Sequence, residues 1–380
     1  MENTDSPRRL VFIATEDWFF ASHFLPMARA AVAMGLQVSV VARVRDHAEI
    51  IAATGARVVP FEAERSSLNP MAAGYAAGQL AAILKALKPD IVHCIALRSI
   101  LVGGTAAAMA GVSGRVFAVT GLGLIGARED SIGRTGRLAL RALIRGPLAS
   151  RRTRFLFENP DDALALGLDP SDRTVTVVGG AGIDPALYAP TPLPPLPPLR
   201  VALVARMLWS KGVDIAVEAV RLARQGGAPV ELSLYGAPDP GNRRAIPEAT
   251  LQSWNGEGIT WHGATRDVAS VWAAHHVACL PSRGGEGLPR SLLEAAAAGR
   301  ACVTTDVPGC RALVRDGVEG LIVPPGAAAA LAAALSRLAA DPALVARMGE
   351  GARARIETGG FTETAVTDAT CRLWRDLLDT

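Results

Sequence analysis

The sequence predicts an α/β protein of two doubly wound, Rossmann-like domains facing a cleft. Three observations predict it. Short apolar runs alternate with Ala-rich helical patterns along all 380 residues. Many of these runs are continuously apolar, as strands covered by helices on both faces should be. A proline-dense stretch also divides the chain into two halves of the same character. Strand–helix alternation implies parallel sheets. Ligands of such sheets bind beyond the carboxyl ends of the strands, and the cleft between two such domains is the default site.

The first domain, residues 1–189, has strand candidates at Leu10–Ala14, Gln37–Ala42, Arg57–Pro60, Ile91–Cys94, Arg115–Thr120, Arg154–Phe157 and Val175–Val178. Helical segments such as Phe24–Met34 and Pro70–Leu87 lie between them. Residues 190–199 hold six prolines in ten positions. Proline lacks an amide donor and fixes φ, so the stretch reads as a semi-rigid linker; a segment for a proline-recognition module is the alternative. The second domain, 200–360, has strand candidates at Arg200–Val204, Val230–Tyr235, Ile259–Trp261, Val277–Leu280, Ala301–Thr304 and Gly320–Val323. Three helical segments follow. The last, Thr362–Leu378, lies beyond Gly359-Gly360 and is expected to pack back on the first domain.

Composition narrows the function classes. Half the residues are hydrophobic and a fifth charged, which excludes a disordered chain. The 39 Lys+Arg and 36 Asp+Glu leave +3, too little to point to nucleic acid. That total conceals a concentration: residues 128–154 hold eight arginines against Glu129 and Asp130. Five cysteines with no Cys-x-x-Cys spacing suggest neither a disulfide framework nor zinc, but buried thiols in a reducing compartment. The N-terminus is polar, and the run Leu10–Ala14 stops at Glu16 and Asp17. No signal peptide or membrane span is read, and a cytoplasmic location is expected.

Gly121-Leu-Gly123-Leu-Ile-Gly126 matches G-x-G-x-x-G after a strand. A dinucleotide site would also need an acidic residue about 20 positions on for the ribose, and Ser131–Phe157 contains no Asp or Glu. A glycine-lined loop opening on the cleft, with Gly121 and Gly123 lining it, is the better reading.

The second half carries the stronger pattern. Arg206 and Lys211 follow the strand ending at Val204. Further on comes Leu280-Pro281-Ser282-Arg283-Gly284-Gly285-Glu286-Gly287-Leu288-Pro289-Arg290-Ser291-Leu292-Leu293-Glu294. Three glycines let backbone amides approach a ligand. Pro289 suits a first helical turn, whose free N–H groups and positive dipole end make a phosphate site. Arg206 and Lys211 add two positive charges. Glu294 is placed to accept hydrogen bonds from ribose hydroxyls, and Glu286 from a donor-sugar hydroxyl. Each element alone is common; their conjunction is specific.

At this point the sequence resembles glycosyltransferase family 4, of GT-B fold. Glu286-x7-Glu294 matches that family's E-x7-E motif, and Arg206 and Lys211 its basic pair. The resemblance covers essentially the whole second half. It implies a retaining, metal-independent transferase without a cofactor. In it Arg206 and Lys211 bind the donor diphosphate, Glu294 binds the ribose, and Glu286 lies by the transferred sugar. Ser282, Gly287, Leu288 and Pro289 complete the donor loop. In the first half, Trp18-Phe19-Phe20-Ala21-Ser22-His23, Pro89-Asp90-Ile91-Val92-His93, Val119-Thr120-Gly121-Leu122-Gly123 and Phe157-Glu158-Asn159-Pro160-Asp161-Asp162 resemble a bacterial subgroup that extends polyprenyl-diphosphate-linked sugars. That subgroup usually has Lys where this chain has Arg98 and Gln where it has Glu158. Arg98 keeps the charge; Glu158 loses an amide donor. The resemblance implies a UDP-sugar donor, N-acetylhexosamine at family level, and a lipid-linked sugar acceptor. It moves His93 to an acceptor-side catalytic role; His23 follows an apolar segment at a cleft-facing end.

Retention with no evident nucleophile favours a same-face substitution in which the leaving diphosphate takes the acceptor proton. Retaining glycosidases use two carboxylates about 5–5.5 Å apart; Glu294, a turn and a half inside its helix, is not expected to act as nucleophile. Arg134, Arg137, Arg141 and Arg145 fall on one helical stripe with Leu138, Leu140, Leu143, Ile144 and Leu148 nearby. A basic, apolar helix of this kind suits an anionic membrane surface and an acceptor diphosphate; a solvated face is the alternative. The enzyme is then peripheral on the inner face of the cytoplasmic membrane. A transferase with a soluble acceptor, a sugar-nucleotide epimerase of related fold and a two-lobed binding protein are the competing readings. No nucleic-acid partner and no metal are expected.

Overall fold

The computed structural model describes residues 7–62, 70–128, 130–239, 241–242 and 244–379. Two compact units emerge, Met1–Ala181 with Glu363–Thr380 and Gly182–Thr362. The first runs β1 (Arg9–Glu16), α1 (Asp17–His23), α2 (Leu25–Ala33), β2 (Gln37–Arg43), α3 (Ala48–Ala52), β3 (Arg57–Pro60), α4 (Pro70–Leu87), β4 (Ile91–Ile95), α5 (Ala96–Met109), β5 (Gly114–Val119), α6 (Gly123–Ala127), α7 (Ser131–Arg145), β6 (Thr153–Phe157), α8 (Pro160–Ala165) and β7 (Val175–Val177). The second runs β8 (Leu199–Val204), a 3-10 turn at Trp209–Lys211, α9 (Val213–Gln225), β9 (Val230–Tyr235), α10 (Glu248–Ser253), β10 (Ile259–Gly263), α11 (Val268–Ala274), β11 (Val277–Leu280), α12 (Arg290–Ala297), β12 (Ala301–Thr305), α13 (Pro308–Leu313), β13 (Gly320–Val323), α14 (Ala328–Ala340) and α15 (Pro342–Thr358). Helix α16 (Glu363–Leu378) belongs to the first unit.

Each apolar run became a strand, with ends shifted by at most two residues. The first sheet is ordered β3-β2-β1-β4-β5-β6-β7 and the second β10-β9-β8-β11-β12-β13. All ladders are parallel. The strand order reverses between β1 and β4, and again between β8 and β11, which marks the ligand position in each sheet.

Both faces of each sheet are covered, and the strand period of two sorts the side chains. On β1, Leu10, Phe12 and Ala14 pack under α1, α2 and α16, while Val11 and Ile13 face α4 and α5. Trp374 of α16 is wholly buried and meets Phe12 edge-on at 5.8 Å. On β8, Leu199, Val201 and Leu203 pack under α9 and α14, and Ala202 packs with α12 and α15.

The proline-rich stretch lies within the second unit. The Arg300 guanidinium donates to the Thr191 carbonyl at 3.0 Å, and the His276 ring nitrogen Nε2 meets the Pro194 carbonyl at 2.9 Å. Leu193 and Leu196 pack on the β8 core, and a cavity of about 350 Å³ opens between Thr191, Arg300 and Arg353. All five cysteines are buried and unpaired. Among the described residues, no single helix is long and apolar enough to cross a membrane.

Candidate active site

The reversal point of the second sheet brings two loops together. One leaves β8 and carries Arg206 and Lys211; the other leaves β11 and leads through Glu286 to α12. Between the first loop and α9, Gly212 has φ of 70°, and a Cβ there would lie 1.9 Å from the Pro281 carbonyl oxygen. Only glycine lets the two loops pass this closely. The Arg283 amide donates to the Ser210 carbonyl at 2.8 Å, and the Arg283 guanidinium spans both oxygens of Asp214 at 2.8 and 2.7 Å. From below, the Thr305 hydroxyl donates to the Ser282 carbonyl at 2.6 Å.

Within this frame Lys211 Nζ donates to both oxygens of Glu286, each at 2.8 Å. The buried Ser282 hydroxyl donates to the same carboxylate at 2.7 Å. The side chains of Lys211 and Glu286 keep 19% and 12% of their exposure, so the pair is shielded yet reachable. Arg206 is more open and donates to Asp239 at 2.8 Å. The structure thus gathers Lys211, Ser282 and Glu286 from separate segments into one polar cluster. Gly287, Leu288 and Pro289 are buried beneath it, with Pro289 as the N-cap of α12 rather than its first helical residue.

Glu294 lies inside α12 with 7% exposure. Burial pushes its carboxyl above the ordinary range; the Arg290 guanidinium, hydrogen-bonded to it, pulls the other way. The Arg290 Nε donates to Oε1 at 3.0 Å. Tyr235 and His262, at the ends of β9 and β10, stack with centroids 4.6 Å apart.

In the first unit, His23, Arg98, Gly121 and Gly123 all follow the carboxyl ends of strands: β1, β4 and β5 respectively. The His23 Nδ1 meets the Ser22 hydroxyl at 2.6 Å, and its ring packs on Phe19 at 4.7 Å. His93 corrects an expectation. β4 continues past it to Ile95, so the side chain is interior, with 0% exposure. It packs against Phe12 at 5.1 Å, and its Nδ1 accepts from the Trp374 indole at 3.3 Å. Burial drives its pKa down to about 3. A neutral, enclosed imidazole does not touch an acceptor.

The arginine stripe of α7 also differs from a uniform basic face. Arg137 donates to the carbonyls of Ile125 and Arg128 at 2.6 and 2.8 Å. Arg145 donates to the Gly167 carbonyl at 2.8 Å, and the Arg141 guanidinium lies over Gly167. The stripe therefore anchors the helix at its side. The outward face shows Ile132, Leu138 and Leu143, exposed by 63%, 57% and 40%, with Arg134 exposed beside them.

Sequence reasoning missed Asp239, the Arg283–Asp214 clamp and Arg290. The i, i+4 spacing of Arg290 and Glu294 was a usable signal; the others depend on packing between distant segments.

Comparison with known proteins agrees with this geometry. Residues 9–158 match the family described as "Glycosyl transferase 4-like", and residues 198–341 match "Glycosyl transferases group 1". The amylovoran biosynthesis glycosyltransferase AmsK of Erwinia amylovora is 32% identical over 42% of this chain and 41% of its own length. An exopolysaccharide phosphotransferase of Streptomyces coelicolor is 31% identical over 47% of this chain and 18% of its own. The chain thus spans less than half the length of either. A Campylobacter jejuni protein, named N,N'-diacetylbacillosaminyl-diphospho-undecaprenol alpha-1,3-N-acetylgalactosaminyltransferase, is 26% identical over 79% of this chain and 81% of its own. Among solved structures, HepE of Anabaena in complex with UDP and glucose superposes with a TM-score of 0.76 at 16% identity, over 96% of this chain and 99% of that one. At that identity the likeness shows the fold alone.

Proposed function

The chain belongs to the glycosyltransferases, with a 4-like first half and a group 1 second half on the GT-B fold, and on that premise we propose that it transfers a sugar from a UDP-sugar to a polyprenyl-diphosphate-linked sugar in polysaccharide or glycan assembly. The observation that carries the chemistry is the cluster in which Lys211 and Ser282 grip Glu286 beside the start of α12. The Campylobacter relative, whose name gives a lipid-diphosphate acceptor and an N-acetylgalactosaminyl donor group, supports the substrate class.

In this reading the donor diphosphate lies at the first turn of α12, where helix starts leave N–H groups without intrahelical acceptors. As the glycosidic bond to the diphosphate breaks, negative charge grows on the leaving oxygen. Lys211, Arg206 and the α12 amides stabilise that charge and need no metal. Glu286 turns from Lys211 to a hydroxyl of the transferred sugar, and Glu294 takes the ribose. The acceptor hydroxyl enters on the face the diphosphate leaves and gives its proton to the departing phosphate oxygen. The configuration is retained without a covalent intermediate.

His23, Arg98, Gly121 and Gly123, all at strand ends of the first sheet, form the acceptor side of the proposal. The outward apolar side chains of α7, flanked by Arg134, suit the surface of an anionic bilayer. This makes the protein peripheral on the cytoplasmic face of the membrane. The test is a screen of sugar nucleotides against a short polyprenyl-diphosphate-sugar, with the anomeric configuration of the product read by NMR. An inverted product overturns the mechanism. Turnover on a soluble acceptor, with none on the lipid-linked one, overturns the acceptor class.

A further inference from the structure

We propose that Glu286 and the donor diphosphate compete for Lys211, so that the site holds a sugar nucleotide more tightly than the nucleoside diphosphate left after transfer and thereby expels its product. The inference rests on the reading that Lys211 meets the diphosphate and Glu286 the transferred sugar.

The two side chains meet over a fixed backbone. Lys211 closes the 3-10 turn, and its amide donates to the Leu208 carbonyl at 3.0 Å. The Arg283 guanidinium ties the Trp209 carbonyl and the Asp214 carboxylate to the loop that holds Glu286. Beyond Glu286, Gly309 of α13 packs so closely that a Cβ there would lie 1.9 Å from the Gly287 carbonyl oxygen and 2.9 Å from that of Glu286. A change of partner is therefore left to the two flexible side chains and asks nothing of the loops.

The pair itself sets up the competition. Lys211 Nζ donates to Oε1 and Oε2 of Glu286, each at 2.8 Å. An ammonium has three hydrogens. A diphosphate oxygen that takes the third sits against a carboxylate of its own sign. With 19% and 12% of the two side chains exposed, water screens that repulsion poorly. Glu286 must turn away for the diphosphate to close on Lys211. Among the described residues its remaining donor is then the Ser282 hydroxyl, at 2.7 Å. A shielded carboxylate that has lost its cation is costly. A hydroxyl of the transferred sugar supplies a replacement donor. A sugar nucleotide thus compensates both members of the pair that it breaks, whereas a nucleoside diphosphate compensates only the lysine. Once the sugar has passed to the acceptor, Glu286 regains Lys211 and the diphosphate loses its hold.

The probes are UDP, UDP-glucose, UDP-N-acetylglucosamine and UDP-N-acetylgalactosamine. Each is titrated calorimetrically, without acceptor, into the wild type, Glu286→Gln, Lys211→Ala and the double variant. Glu286→Gln keeps the shape and removes the charge, and thermal melting of each variant checks that folding is retained. The wild type is expected to bind at least one UDP-sugar more tightly than UDP. Glu286→Gln binds UDP about ten-fold more tightly than the wild type does, the scale of one hydrogen bond to a charged group, and binds the UDP-sugar no more tightly. In the Lys211→Ala background the same change alters UDP affinity by less than about two-fold, because no pair is left to break. In turnover assays, added UDP inhibits Glu286→Gln at about one-tenth of the concentration that inhibits the wild type. Unchanged UDP affinity in Glu286→Gln, with the UDP-sugar weakened, leaves Glu286 on the sugar and overturns the competition. An equal gain in both backgrounds makes the effect one of general charge and overturns it as well. If no UDP-sugar binds the wild type, or Lys211→Ala binds UDP as tightly as the wild type, the donor assignment itself fails and the inference with it.

Discussion

Replacing Lys211 by alanine removes the cation that holds Glu286 at 2.8 Å on both oxygens. Two effects can be separated by magnitude. For stability, the pair is neither a surface nor a core ion pair. Surface pairs contribute about 0–1 kcal/mol, and breaking a buried pair costs about 3–5. With 19% and 12% exposure, and with Ser282 still donating to the carboxylate, the cost should fall near the lower range, at about 1–2 kcal/mol. For turnover, loss of one preorganised group facing a developing oxyanion costs about 10²–10³ in kcat. The assay is UDP release at saturating donor, paired with chemical denaturation of the same preparation. Lys211→Ala is expected to melt close to the wild type and to turn over at least a hundred-fold more slowly. Adding Glu286→Gln should recover part of the stability, because the orphaned carboxylate is gone, and none of the rate. A Lys211→Ala enzyme working within three-fold of wild type would refute the assignment of Lys211 to the leaving group.

Asp162 gives a pH test. Burial raises its carboxyl to about 6, against a smaller opposing hydrogen bond from Asn159. The folded state thus holds this proton more tightly than the unfolded chain does. The stability it contributes is complete below about pH 4 and is lost as pH rises through 6. A shift of about two units corresponds to about 2–3 kcal/mol. Asp162→Asn should flatten stability between pH 4 and 6.5 and stabilise the protein at pH 7; parallel curves for mutant and wild type refute this. Trp374→Ala empties a wholly buried site between Phe12 and His93 and should cost about 3–5 kcal/mol by urea unfolding; a loss below 1 kcal/mol means α16 does not complete that core. Replacing Ile132, Leu138 and Leu143 with serine should release the protein from anionic vesicles, while exposed surface changes of this kind leave stability within about 0.5 kcal/mol; unchanged co-sedimentation removes α7 from the membrane proposal.

The strands were legible because doubly covered strands leave continuous apolar runs, and Val277–Leu280 can be read without any neighbour. The meeting of Lys211, Ser282 and Glu286 was legible because they lie in two short segments after strands that a doubly wound order brings side by side. His93 was not. It lies one residue before the expected end of the strand Ile91–Cys94; only Trp374, contributed by a helix far along the chain, reveals that the position is sealed. The arginines of α7 show a related limit. Helical periodicity fixes which face they share, but whether a guanidinium meets solvent or a carbonyl depends on backbone from the loop holding Gly167.

The return of α16 to the first unit has a consequence for synthesis. Ribosomes deliver the chain in order, so β1 to β7 emerge long before the helix that covers Leu10, Phe12 and Val40 on one face of their sheet. During translation of the entire second unit, that apolar face waits without its last cover. The first-made half is thus the last to be finished, and nascent chains have a window in which a chaperone, or a neighbouring nascent chain, competes for the place that Trp374 will take.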